Sequence, residues 1–580
     1  MTNRNLRWKI AIIASAALFV VPTLSSCGDE GVTLPTNYNT GRYRRVDIRP
    51  NEPVEGLAAF VKPLNGMHGS PLPVVPGDGS LKLQYWGRLA GSSDADGAHV
   101  TMVRVGTDVD CALSLESIFP DQSKDVNDPN NYQFATLDKH IAAILGTYAP
   151  QSKSFSGGLN TARVLWQAGL NVGAASGCKS DALGNQQGSP FSAEGDFKIW
   201  ADVAFNTLQH MRGVGKWSAT GAPYKIQYVE FMDDPLERFP NGYTTSWTDL
   251  NWGRLHGVYK DFAQKIKQAW PDSKDANGLR LPAIRVGGIS FTFSDVSELA
   301  YTGEQDKHGL LRFIDYCKTE QAPLDFVSFK TKTTNAYKAS QIANEIRRYL
   351  NQNGYGDVQL IATSVRPDYD APKLQNLASL EYPDIKSAHL GAFQTAARIY
   401  FQDTPVDYMI AGRGPRVFSD LVAHPDVNNY LGLIVESDYF YNDATAKPSF
   451  MALFPFRQIS GQQRVVVAEG ADADGMTVLS SRDPNNSKIV HVVVANSNVS
   501  SGVASITYDL TLNQFAPPAV TEVEYKLAVL DRGSYGVPVS ISRRPASSTP
   551  GFRQAPFASF TTWLFLPYTT FNSFSHRGKA

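Results

Sequence analysis

From Thr101 to Ala411 the chain alternates between short apolar runs and longer stretches with helical periodicity. The runs read as strands at Thr101–Gly106, Tyr132–Phe134, Ala162–Ala168, Lys225–Phe231, Ala283–Gly287, Asp325–Thr331, Val358–Ser364 and Asp407–Ala411. Amphipathic segments such as Phe197–His210, Tyr259–Ala269, Ala336–Leu350 and Ala388–Phe401 lie between them, and Ala135–Leu145 follows the second run. Strands alternating with helices predict an α/β fold, a (β/α)8 TIM barrel spanning residues 60–455. From Arg464 the pattern shifts to strands separated by turn residues such as Asp483-Pro484-Asn485-Asn486. These runs, Met476–Ser480, Ile489–Ala495, Ala504–Leu510, Val520–Leu530 and Phe560–Leu566, predict a C-terminal β-sandwich over 456–575. An isolated strand at 42–50 precedes the barrel and is expected to join the sandwich.

The first residues change the picture of where the protein resides. Arg4, Arg7 and Lys9 precede an apolar run from Ile10 to Val21, which is too short to cross a bilayer as a helix. Leu24-Ser25-Ser26-Cys27 then reads as a lipobox, so residues 1–27 are expected to be a lipoprotein signal with Cys27 as the lipidated residue. Residues 28–41 form a polar tether. Gly28 rather than Asp after the cysteine favours an outer-membrane destination in the bacterial cell envelope. The formal net charge is −1 and no basic block occurs, which argues against nucleic acid as a partner. Of the 4 cysteines, Cys111 and Cys178 lie in loop-like sequence open to pairing outside the cytoplasm, whereas Cys317 falls on an amphipathic helix and reads as buried. Their spacing matches no metal motif, and no cofactor is expected.

The most informative segment is Tyr228-Val229-Glu230-Phe231-Met232-Asp233-Asp234-Pro235, an apolar strand ending in two carboxylates and a proline. Carboxylates at the C-terminal end of a barrel strand are placed for acid/base work. The segment resembles the Tyr-x-Glu-x-x-Asn-Glu-Pro strand of glycoside hydrolase family 39. Further segments resemble that family in order and spacing: Leu64 to Pro71, Val103-Arg104, Ile118 to Asp121, Asn131 to Phe134 with Asp138, His210, Pro271, Val286-Gly287-Gly288, Pro323 to Ser328, and Val492 to Asn496. The resemblance implies a barrel acting on polysaccharide or oligosaccharide. It places Asp233 where the family has Asn, and Asp234 where it has the Glu general acid/base. Glu230 is then part of the polar network of the barrel wall.

The departures fall at the expected active site. Lys330 and Lys332 stand at the family's His and Tyr, and Thr363 or Ser364 at the Glu nucleophile. A retaining mechanism requires that second carboxylate, so the resemblance implies a catalytically degenerate member that binds a glycan. The alternative is an active hydrolase with Asp234 as general acid and a second carboxylate among Asp233, Asp108, Asp110, Asp368 and Asp370. Lys330, Lys332, Arg366 and Arg413 would make the barrel mouth attractive to an acidic saccharide, with Trp247 and Trp252 in the following loop for stacking. The competing assignment is internal: Asp233 and Asp234 pair with Lys330 or Lys332, and Arg416 is an ordinary solvated charge.

Overall fold

The computed structural model describes residues 7–14, 43–69, 87–89, 97–106, 113–149, 152, 154–156, 158–159, 162–169, 197–219, 223–234, 249–274, 280–303, 307–371, 383–414, 437–440, 446–468, 476–486, 489–497, 507–512, 522–530, 535–545, 558–565 and 571–579. Eight parallel strands close a barrel: β1 (Gly66–His68), β2 (Met102–Val105), β3 (Arg163–Ala168), β4 (Tyr228–Asp233), β5 (Arg285–Phe293), β6 (Phe326–Thr333), β7 (Gln359–Pro367) and β8 (Tyr408–Arg413). Helices α1 (Ala135–Leu145), α2 (Phe197–Met211), α3 (Asp249–Ala269), α4 (Gly309–Thr319), α5 (Ala336–Gln352) and α6 (Pro383–Phe401) connect them. The (β/α)8 barrel is therefore present, with one reassignment among its strands. Tyr132–Phe134 is not a strand: Pro129–Asn131 forms a 3-10 turn and Phe134 sits at the start of α1. The strand before Met102–Val105 is instead Gly66–His68. Gly66 is required there, because a Cβ would lie 2.5 Å from the Met409 carbonyl oxygen on the adjoining β8.

The alternation along each strand decides what fills the barrel. Inward positions near the N-terminal end form an apolar plug of Met102, Leu165, Tyr228, Phe326, Ile361 and Ile410. Two residues further along, the inward positions turn polar: Arg104 follows Met102, Glu230 follows Tyr228, Ser328 and Lys330 follow Phe326, and Thr363 follows Ile361. A dry floor thus carries a polar upper layer at the C-terminal end, where barrel chemistry is sited. Outward residues such as Val103, Val164, Val229, Val327 and Leu360 pack with the helices into the main core.

The C-terminal β domain runs in one hydrogen-bonded order: Thr507–Leu512, Tyr43–Pro53, Gln463–Ala468, Met476–Arg482, Ile489–Asn496, Ala558–Phe565, Glu522–Leu530 and Tyr535–Pro545. Its second strand comes from before the barrel, Tyr43–Pro53, which lies antiparallel to Gln463–Ala468 and parallel to Thr507–Leu512. Helix α6 packs against Met476–Arg482 and Ile489–Asn496. Arg464 reinforces the junction, donating from Nη1 to Asp403 Oδ1 at 2.7 Å and to the Ala58 carbonyl at 3.1 Å. Lys62 closes the end of α6, its ammonium donating to the carbonyls of Phe401, Thr404 and Val406. A cation there also meets the negative end of the helix dipole. Arg7–Ala14 pairs antiparallel with Phe571–Lys579. Cys27, the tether, Cys111 and Cys178 lie outside the described residues, and Cys317 is buried, with its thiol pKa pushed up by burial. Among the described residues no helix is long and apolar enough to cross a membrane.

Candidate functional site at the end of the fourth strand

The upper layer is organised by Arg104, a single charge in the otherwise apolar Met102–Val105 strand. Its Nε donates to Glu230 Oε2 at 2.6 Å, and one Nη donates to Asp233 Oδ1 at 2.9 Å. Lys330 donates to the other oxygen, Asp233 Oδ2, at 2.6 Å. Arg104, Glu230 and Asp233 are buried and the Lys330 side chain nearly so, and these two basic and two acidic side chains form one compact network. Burial pushes the Glu230 carboxyl above its ordinary value, and the Arg104 guanidinium pulls against that rise.

The backbone at the end of β4 is irregular. Met232 and Asp234 both have positive φ, 68° and 26°, a region side-chain-bearing residues seldom occupy. Asp233, between them, faces Arg104 and Lys330, while Asp234 is turned to the neighbouring strand. The Asp234 amide donates to the Ser290 carbonyl at 2.9 Å, and its Oδ2 accepts from the Thr292 amide at 2.8 Å. Asp234 is buried, so this carboxylate braces β4 against β5.

On β7 the register steps: Phe329 of β6 faces Ala362, whereas Lys330 faces Ser364. Thr363 takes up the extra residue as a bulge. Its hydroxyl lies 3.1 Å from the Ser290 hydroxyl and donates to the Phe329 carbonyl at 3.2 Å. Neither Thr363 nor Ser364 brings a carboxylate to this strand end, and both are buried.

The same register puts Lys332 beside Arg366, one layer above Lys330 and Ser364. Lys332 does not reach Asp233 or Asp234. It pairs with Asp370 at 2.5 Å and Asp368 at 3.5 Å, and the Asp370 contact is the main cause holding its ammonium pKa up. Two of the candidate second carboxylates are thus bound to a lysine at the rim. Arg413 faces His68 across β8 and β1, and its amide donates to Asp438 Oδ2 at 2.8 Å. Trp252 belongs to helix α3 rather than to the preceding loop. Trp247, Asp108, Asp110, Pro235 and Arg416 fall outside the described residues. His210 is far from this layer: it stacks on Phe134 with ring centroids 3.7 Å apart and bonds Asp138 at 2.8 Å.

The sequence reading did not assign roles to Arg104, Ser290 and Thr292. Arg104 leaves a readable trace, since an inward charge in a buried strand demands a buried partner. Thr292 acts through its backbone and leaves none. Among the described residues no group of three or more His, Cys, Asp or Glu is placed to hold a metal ion.

A closed (β/α)8 barrel carrying a C-terminal β domain is an architecture found in glycoside hydrolases. The solved structure of a glucosidase from Croceicoccus marinus shares it: 19% identity, TM-score 0.53, covering 87% of this chain and 94% of that one. A monomeric β-xylosidase from Caulobacter crescentus matches at 14% identity and TM-score 0.44, over 76% of this chain and 75% of its own. No protein-family model and no curated protein matches the chain.

Proposed function

We propose that this chain is a glycoside hydrolase family 39-like lipoprotein of the bacterial cell envelope that binds polysaccharide or oligosaccharide and has lost the retaining mechanism. The observation that carries this reading is the state of the strand ends. Retaining hydrolysis needs two carboxyl groups about 5–5.5 Å apart, one of them a free nucleophile. Strand β7 offers Thr363 at that place, with its hydroxyl occupied by Ser290 and Phe329. On β4, Asp233 is saturated by Arg104 and Lys330, and Asp234 is held by the Thr292 amide. Groups fixed in this way hold a scaffold more readily than they move protons.

One observation favours the alternative, an active hydrolase with Asp234 as general acid. Positive φ at both Met232 and Asp234 is backbone strain of a kind that collects at functional sites. The acidic ligand class rests on half-exposed Lys332 beside Arg366 at the rim; Lys332 is already paired with Asp368 and Asp370, so a sugar carboxylate has to displace those side chains to bind it. The lipid anchor at Cys27 and an outer-membrane location rest on the lipobox alone.

Two measurements test the proposal. An activated fluorosugar should leave no covalent adduct on the barrel, and an adduct there would overturn the loss of the retaining mechanism. Calorimetry should show tighter binding of uronate-containing than of neutral oligosaccharides, with the preference reduced in Lys330→Met/Lys332→Met and weakened by salt. Equal affinity for both overturns the acidic preference, and binding of neither overturns the glycan reading.

A further inference from the structure

Strand β7 runs on into a short acidic turn, Asp368-Tyr369-Asp370. The turn is tied down on both sides. The Asp368 amide donates to the Thr333 carbonyl at 2.9 Å, which continues the pairing of β6 with β7 by one bond. The Ala371 amide donates to the Asp368 carbonyl at 3.1 Å, and the Asp370 amide to Asp368 Oδ1 at 3.3 Å. Tyr369 anchors the turn to α6, its hydroxyl 3.2 Å from Nδ1 of the buried His389. The two aspartates on either side of Tyr369 both reach Lys332 on β6, Asp370 Oδ2 at 2.5 Å and Asp368 Oδ1 at 3.5 Å.

Lys332 thus carries two carboxylates of its own chain at its ammonium. The Asp370 side chain is 82% exposed and that of Lys332 46%, so water competes for both partners. Exposed pairs of this kind shift an equilibrium by no more than about fivefold and weaken with salt. A contact that weak is open to exchange, because a uronate carboxylate offers lysine the same charge-assisted hydrogen bond as an aspartate does. We propose that Asp368 and Asp370 are specificity-determining residues of the barrel mouth: they hold Lys332 in place of a ligand carboxylate, and an acidic saccharide binds by exchanging with them. This inference rests on the reading of the mouth as a glycan site. A neutral saccharide has no charge to exchange and leaves the turn on Lys332. An acidic one takes the ammonium, but the displaced aspartates stay beside it, since the Thr333 and His389 contacts hold their backbone. Their charge then opposes the ligand, so the turn filters acidic glycans by lowering their affinity.

The test is calorimetry on the full chain at low salt, with hexagalacturonate and its methyl ester as probes; the ester keeps the shape and loses the charge. Asp370→Asn and Asp368→Asn should each tighten hexagalacturonate about two- to fivefold and leave the ester unchanged. Asparagine keeps Oδ1 at position 368 as the acceptor for the Asp370 amide, so the turn is retained. The gain from Asp370→Asn should vanish in a Lys332→Met background, because exchange needs the lysine. An equal gain in that background means simple charge repulsion and overturns the inference. Unchanged hexagalacturonate affinity in both aspartate variants also overturns it, while leaving the glycan reading standing. Binding of neither probe, by the wild type or by Asp368→Asn/Asp370→Asn, overturns the inference together with the reading beneath it.

Discussion

Replacing Arg104 by Met removes one cation from a buried network and leaves its shape largely filled. The side chain loses its 2.6 Å contact to Glu230 and its 2.9 Å contact to Asp233. Asp233 retains Lys330 at 2.6 Å, so it stays compensated. Glu230 keeps no cation and is wholly buried, which makes it the group that decides the outcome. Breaking a buried pair by removing one partner costs about 3–5 kcal/mol. We expect a loss near the middle of that range at neutral pH, about 4 kcal/mol.

The pH dependence separates this mechanism from simple loss of packing. Burial already raises the folded Glu230 carboxyl above its ordinary value, and Arg104 opposes that rise. In Arg104→Met the opposition disappears and the folded value climbs further. Between the unfolded and folded values the folded chain binds more protons, so stability falls as pH rises through that window. The penalty in Arg104→Met should therefore be smaller at about pH 5 than at about pH 8. Glu230→Gln in the Arg104→Met background should recover about half of it, because it removes the orphaned charge. The assay is urea unfolding followed through the buried Trp166 and Trp200 of the barrel. A penalty below about 1 kcal/mol, or one equal at both pH values, would refute the reasoning.

Three further outcomes follow from the same description. Lys62→Met should cost about 2 kcal/mol, since its ammonium is the donor to three carbonyls at the end of α6, and an unchanged unfolding midpoint would show those bonds are exchanged for water at no loss. Gly412→Ala should cost about 1–3 kcal/mol, because the new Cβ would sit 2.6 Å from Cζ of the buried Tyr439 ring; a neutral result would mean the ring swings aside. Cys27→Ser should end fatty-acid labelling and release the protein from membranes, and equal labelling of mutant and wild type would remove the lipobox reading.

Strands β2 to β8 are legible in the sequence because each is built on a run of mostly buried apolar residues. Strand β1 is not: Gly66-Met67-His68 is 3 residues long and has no β-branched side chain. Tyr132–Phe134 carries the opposite error, since its aromatic residues pack into a ring cluster rather than a sheet, with Tyr132 and Phe119 centroids 4.8 Å apart and Tyr132 and Phe134 centroids 5.1 Å apart. At the site, two-residue spacing puts Lys330 and Lys332 on one face of β6, as the strand register shows. Their partners differ because the layers differ: Lys330 is level with Asp233, and Lys332 sits above it, within reach of the loop carboxylates Asp368 and Asp370. The turn of Asp234 toward Thr292 depends on two positive φ angles, which Met and Asp do not advertise. Arg104 and Glu230 are 126 positions apart in the chain, and only closure of the barrel brings them together.

The strand Tyr43–Pro53 leaves the ribosome before any of the barrel, yet one of its neighbours in the sheet, Gln463–Ala468, lies about 410 residues downstream. At about 5–20 residues per second, synthesis alone keeps this strand waiting roughly 20–80 s. During that time its hydrogen-bonding edges are open, and a growing barrel is tethered beside them. The β domain is therefore completed last and from both ends of the chain. A barrel cut out at either boundary would carry away part of one unit or strand part of the other.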